Sequence, residues 1–375
     1  MKKQIRIGIL TFHYAHNYGA VLQAYALKEY LKKTHADAVL VNYRNKVIES
    51  CYSKNRIKET FFNKQNHKEG YKFVIRSMVD AFGEQPSWNV QYKKFKEFIC
   101  KYLLDGNDEE VTKSDLTKLN VDLFIAGSDQ IWNKHLTDGY DDVYFLNFDT
   151  NAQKAFYAVS DGNAYVTDDN LQYYENILKE ITYISTRESS LAVDISRKLS
   201  VAAYGVVDPS FLLNMEDYIN RFGLKKKQNR FLFAYFVSED VYLSQLAEVV
   251  AGALNLEVVE LHYYKKHSMK DKNQHADFGP VDFLQSIYDS EFVITNSFHG
   301  TAFSLIFHKQ FYSVYKDNAR INNLLDFLNL QDRHIQSNND LDLRSFVDYE
   351  QIDLDSYTVE SKRFLNEIIN NVSRL

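Results

Sequence analysis

Five short stretches of this chain set polar or charged side chains after an apolar run, where an α/β sheet would offer them to a ligand. The richest is residues 292–307, FVITNSFHGTAFSLIF. Its apolar start predicts a strand, Thr295-Asn296-Ser297 a turn, and Ala302 to Phe307 a helix. A helix start directs backbone N–H groups at an anion. Gly300 has no Cβ and would let a ligand approach the backbone, while Ser297 and Thr301 add hydroxyls. His299 adds a group whose ordinary titration lies near neutrality. Arg187-Glu188 follows a predicted strand at 182–185, and a guanidinium there suits phosphate or carboxylate, or a salt bridge to a neighbour. Lys316 and Arg320 stand in the same relation to a strand at 310–315. In Gly127-Ser128-Asp129-Gln130-Ile131-Trp132, a sugar ring could lie on Trp132 while Asp129 accepts its hydroxyls, with Ser128 beside it. Asp129 would equally cap a helix beginning near Gln130. Asn17-Tyr18-Gly19 occupies the first βα turn, a place for backbone amides to meet phosphate, but it is not a dinucleotide fingerprint.

The elements that must position these groups alternate along the chain as βα units around mainly parallel sheets. Strands are expected at 5–10, 39–42, 123–126, 155–159, 231–237 and 256–261, with a helix at 20–31 whose Ala20, Ala24, Leu27 and Leu31 form one face. Length suits two domains. The first is expected at 1–213, with a helical and loop insertion at about 44–115, and the second at 214–355. A C-terminal helix is expected at 356–375.

A formal charge of −6 argues against binding nucleic acid through a broad basic surface. The locally basic stretch 44–76 could face an anionic membrane or a lipid-linked substrate, or could simply be solvated. Cys51 and Cys100 form no metal-ligand spacing or disulfide framework, and no charge-free apolar run is long enough to span a bilayer. The chain therefore reads as cytoplasmic. It lacks a Walker A sequence, a Gly-x-Ser-x-Gly elbow and a zinc pattern; His262, His267 and His275 are expected to face solvent. No cofactor or metal is expected.

GILTFHYAHNYGAVLQAYALKEYL at 8–31, FIAGSDQIWN at 124–133, STRESS at 185–190, VVDPSFLL at 206–213 and GPVDFLQSIYDSEFVITNSFHGTAFSLIF at 279–307 resemble, in order, the polysaccharide pyruvyl transferase family. The resemblance implies a GT-B-like fold, two Rossmann-like domains facing a cleft. It also implies transfer of pyruvyl from phosphoenolpyruvate to two hydroxyls of one sugar, giving a cyclic ketal in bacterial surface polysaccharide such as capsule or exopolysaccharide. It places Arg187 and His299 at the donor, with Ser297, Gly300 and Thr301 in contact and Lys316 or Arg320 completing a basic cluster. His299 would be general acid or base, and Asp129 or Glu188 would deprotonate the acceptor. Asn17, Tyr18, Gly19, Ser128, Asp129 and Trp132 fall on the acceptor side. The implied acceptor is a lipid-linked oligosaccharide at the inner membrane face, with galactose-type residues leading. The first βα turn departs from the family's Asn-x-Gly-Asp loop because Ala20 follows Gly19. A sugar-nucleotide glycosyltransferase of the same fold, or a non-catalytic carbohydrate- or phosphate-binding protein, are the competing functions.

Overall fold

The computed structural model describes residues 4–52, 88–227, 230–237, 241–262, 273–316 and 318–374. The chain divides into two compact units: Met1–Cys51, Ile99–Leu213 and Leu354–Leu375 form the first, and Tyr52–Phe98 with Asn214–Asp353 form the second. Each is an α/β body on a parallel sheet.

The first sheet has six strands: β1 Arg6–Leu10, β2 Asp37–Leu40, β3 Leu123–Ala126, β4 Gln153–Val159, β5 Tyr183–Thr186 and β6 Ala203–Gly205. Their order is β2-β1-β3-β4-β5-β6. β1 and β3 are almost wholly apolar because both faces are covered. The helix Tyr18–Lys33 is started by Asn17, whose side chain accepts from the Ala20 N–H, and it ends with Lys32 and Lys33 where cations favour the dipole. The chain runs out from β1 to β2 on one side and then to β3 on the other. The ends of β1 and β3 therefore flank the reversal of strand order, where open α/β sheets bind ligands.

The second sheet has β7 Phe231–Tyr235, β8 Glu257–Leu261, β9 Gln274–His275, β10 Phe292–Thr295 and β11 Gln310–Ser313, in the order β11-β10-β7-β8-β9. Its reversal lies between β7 and β10. Leu232, Ala234, Leu246, Val250, Ile294 and Tyr312 form one side of its core. The helix Phe298–Ile306, buried along its whole length, follows β10.

Two boundaries differ from the sequence reading. Residues 88–98, expected as part of an insertion in the first domain, pack with the second unit: Lys94 pairs with Asp282 at 2.9 Å and Phe98 stacks on Phe222. The helix Leu354–Val372 is built into the first unit, burying Phe364, Leu365, Ile368 and Val372, while Ser361 Oγ accepts from the Val207 N–H. Much of the basic stretch, residues 53–76, lies outside the described residues, as does His267. His262 is not solvated; it bonds Glu260 at 2.8 Å and is mostly buried.

Candidate functional site

Each unit carries one candidate residue at its own strand-order reversal, Asp129 after β3 in the first and His299 after β10 in the second. In the first unit, β3 ends in a turn that only glycine can make at its first position. Gly127 has φ +133, and a Cβ there would lie 1.9 Å from the Tyr157 carbonyl oxygen. Ser128 turns inward and donates to the Ala158 carbonyl, and its own carbonyl accepts from Thr11 Oγ1. Asp129 then stands at φ 72, a left-handed position that Asp and Asn tolerate. Its backbone carbonyl accepts from the Ser160 N–H, tying the turn to the end of β4. No helix begins at Gln130; the next is Lys134–Thr137, capped by Asn133. The capping alternative for Asp129 is thus corrected; among the described residues its carboxylate accepts a hydrogen bond from the adjacent Gln130 N–H alone.

Behind this turn lies a buried charge cluster. Arg187, at the end of β5, donates from Nη1 to Asp208 Oδ2 at 3.0 Å. Its Nη2 is 3.7 Å from Asp129 and its Nε 4.0 Å from Glu188, ion-pair rather than hydrogen-bond distances. Burial alone would lower the Arg187 pKa, but Glu188, Asp208 and Asp129 outweigh it and raise it above its ordinary value. Glu188 is anchored by a hydrogen bond from Ser160 Oγ, and Asp208 by the Ser210 N–H. The strand end before Asp208 is held in turn, because Tyr157 donates to the Val207 carbonyl. Nearby, burial raises the Asp161 pKa despite hydrogen bonds from Asn163, Asn170 and Tyr174.

The expected acceptor residues separate sharply here. Trp132 is only 1% exposed, stacked on Phe145 and edge-on to Phe156, so it gives no face to a sugar. Tyr18, Gly19 and Ser128 are also buried, and Asn17 spends its side-chain oxygen on the helix cap. Asp129 remains partly exposed. Arg187 and Glu188 are buried as well, so Arg187 is an internal cation and not an open one.

In the second unit, Thr295 Oγ1 donates to the Tyr235 carbonyl and accepts from the Ser297 N–H, and Asn296 accepts from the Val237 N–H. These bonds join the ends of β7 and β10. Ser297 caps the following helix by accepting from the Gly300 N–H. Thr301 hydrogen bonds to the Ser297 carbonyl and to Ser313. A Cβ at Gly300 would lie 2.3 Å from Thr295 Oγ1. The expected reason for this glycine is therefore corrected: its missing side chain admits Thr295, not a ligand. His299, in the first helical turn, is largely buried and meets Phe298 edge-on. Arg320 lies over the neighbouring Phe298, its guanidinium 5.5 Å from that ring's centre, and Lys316 is exposed. A helix start of this kind directs backbone N–H groups outward, where an anion can be received.

The polysaccharide pyruvyl transferase family model matches residues 17–318, which includes every candidate site residue except Arg320. The chain belongs to that family. No curated protein matches it. Among solved structures it is similar to the UDP-GlcNAc 2-epimerase of Methanocaldococcus jannaschii, at 10% identity over 86% of each chain with a TM-score of 0.40. It is also similar to the glycosyltransferase SnogD of Streptomyces nogalater, at 9% identity over 99% and 98% of the two chains with a TM-score of 0.44. The E. coli heptosyltransferase WaaC matches at 10% identity over 84% and 90%, with a TM-score of 0.37.

As a pyruvyl transferase family member, the chain adds two groups that its sequence did not single out. Asp208 and Ser160 hold Arg187 and Glu188; a polar residue directly after a strand was their only signal, and no spacing pairs them. Among the described residues, no group of three or more His, Cys, Asp and Glu is arranged to hold a metal ion, and no helix is long and apolar enough to cross a membrane. A cavity of about 530 Å³ in the second unit, lined by Phe231, Glu257 and Asp289 among others, lies at the opposite edge of the sheet from His299.

Proposed function

We propose that this protein transfers the pyruvyl group of phosphoenolpyruvate to two hydroxyls of one sugar, releasing phosphate and forming a cyclic ketal. Family membership supports the reaction class. The observation that carries the donor assignment is the helix start after β10 at the strand-order reversal, with His299 in its first turn and Arg320 over the neighbouring Phe298 ring. Phosphoenolpyruvate carries a phosphate and a carboxylate a few atoms apart, and backbone amides with nearby cations suit both.

The reaction needs two additions to the same carbon. The first hydroxyl bonds to the enol carbon while the methylene carbon gains a proton and becomes methyl. The second hydroxyl then bonds to that carbon as its bond to the phosphate oxygen breaks. One hydroxyl proton is thus balanced by the new methyl proton, and the other leaves with phosphate. In this reading His299 supplies the proton to the departing phosphate, and Ser297, Lys316 and Arg320 hold the donor's anionic groups in place, while Thr301, wholly buried and bonded to the Ser297 carbonyl and Ser313, supports the turn rather than the donor. The acceptor is a galactose-type residue of a lipid-linked oligosaccharide destined for surface polysaccharide, brought to the enzyme at a membrane face.

Phosphate release from phosphoenolpyruvate, measured with and without galactosides, tests this reading. Sugar-dependent release accompanied by a pyruvate ketal in the product mass supports it. Binding of a sugar nucleotide, with no binding of phosphoenolpyruvate, moves the protein to glycosyl transfer.

A further inference from the structure

At the edge of the second sheet opposite His299, Lys226 and Lys309 meet with no acid between them. Lys226 Nζ donates to the carbonyls of Tyr288, Asp289 and Ser290 at 3.4, 2.6 and 3.3 Å. These carbonyls close the helix Pro280–Asp289, an end that favours a cation, and three acceptors use all three donors of an ammonium. Lys309, between the helix Phe298–Ile306 and β11, is only 9% exposed. Its Nζ lies 5.3 Å from the Tyr288 ring centre and forms no ion pair among the described residues. The two acids that act on it are engaged elsewhere: Glu291 takes two bonds from Arg230, and Asp289 takes the Lys227 N–H. His308 stacks on Tyr349, whose hydroxyl donates to the Lys309 carbonyl, and Glu216 acts on His308. Burial and then Lys226 lower the Lys309 pKa to about 7 against the opposing pull of Asp289 and Glu291, so near neutrality about half of it is a free amine.

We propose that Lys309 is a modification site whose free amine adds carbon dioxide, giving a carbamate paired with Lys226. The nitrogen lone pair bonds to the carbon of CO2, one C=O π pair moves onto oxygen, and an N–H proton leaves to solvent. No oxidant, reductant or further reactant is required. The charge of the product selects CO2 over acylating or carbonyl reagents. An amide or an imine would leave the Lys226 ammonium facing no negative charge, whereas a carbamate turns a like-charge contact into an ion pair within a largely buried site. CO2 is also small enough to reach a side chain so little exposed. Because the ion pair exists only in the folded chain, adding CO2 stabilises the fold by mass action.

The full chain in isotopically labelled bicarbonate near neutral pH tests this, with carbamates trapped by O-alkylation and located by peptide mass. Label should fall on Lys309 at about tenfold or more the level on exposed lysines, which are almost wholly protonated at that pH. Lys226→Met should lower the label on Lys309 by about fivefold or more, since it removes both the charge that frees the amine and the partner of the carbamate. CO2 should also raise the urea midpoint of the wild type, against chloride at equal pH and ionic strength, and leave that of Lys309→Met unmoved. The labelling of the folded wild type stands without either variant. Label on Lys309 no greater than on exposed lysines, unchanged label in Lys226→Met, or an equal midpoint shift in Lys309→Met overturns the assignment.

Discussion

Gly300→Ala separates two reasons for a glycine beside His299. The added Cβ would lie 2.3 Å from Thr295 Oγ1 and 2.9 Å from both Thr295 Cβ and Cγ2. Thr295 cannot rotate away cheaply, since its hydroxyl joins the Tyr235 carbonyl at 2.7 Å to the Ser297 N–H at 3.1 Å. Overpacking costs about 1–3 kcal/mol. Losing two buried hydrogen bonds adds about 1–3 kcal/mol. The better helix propensity of alanine returns about 1 kcal/mol. The expected loss is therefore about 3 kcal/mol, read from urea unfolding at unchanged m. Thr295→Ala removes the hydroxyl and Cγ2, so the double variant should be more stable than the sum of the single losses by about 1 kcal/mol or more. A Gly300→Ala protein within about 0.5 kcal/mol of wild type that has lost phosphoenolpyruvate binding would refute the packing argument and return this glycine to the ligand.

Lys309 is buried beside Lys226, and burial followed by that second ammonium lowers its pKa to about 7 from 10.5. Between those values the unfolded chain binds more protons, so stability rises with pH; Lys309→Met should remove about 1 kcal/mol per pH unit of that rise, and parallel urea curves from pH 7.5 to 9.5 would contradict it. Trp132→Ala should cost about 3–5 kcal/mol by opening the Phe145 and Phe156 packing, whereas Trp132→Phe should leave the acceptor KM unchanged; a raised KM at full stability would restore the platform reading. Arg187→Ala leaves Asp208 and Glu188 buried without this cation, a loss of about 3–5 kcal/mol read from urea unfolding; a loss under about 1 kcal/mol would show that the ion pairs do not hold the cluster.

The strands that carry the candidate groups were legible because each is an apolar run closed by a polar turn. β3 matches its expected bounds, and β1, β5 and β10 differ by at most a residue or so. β6 and β9 gave no such signal: Ala203–Gly205 and Gln274–His275 are short, polar or exposed, and exist through pairing with β5 and β8. β4 begins at Gln153, earlier than expected, because the pairing with Leu123 extends through polar residues that pattern reading skips. At the site, residue type revealed that Asp129, Arg187 and His299 follow strands, but not which way side chains point. Trp132 is the clearest case, since a tryptophan after a turn suits a sugar or a core equally, and packing by Phe145 decided for the core. The pairing of Arg187 with Asp208 spans 21 residues and depends on β5 and the segment after β6 ending side by side.

The central claim is most directly tested by following inorganic phosphate from phosphoenolpyruvate with wild type and His299→Ala, with and without a galactoside, together with the product mass. The account predicts sugar-dependent release and a pyruvate ketal for the wild type, with turnover reduced by about 100-fold or more in the variant. Unchanged turnover in His299→Ala, or a wild type that neither binds nor consumes phosphoenolpyruvate, would contradict it.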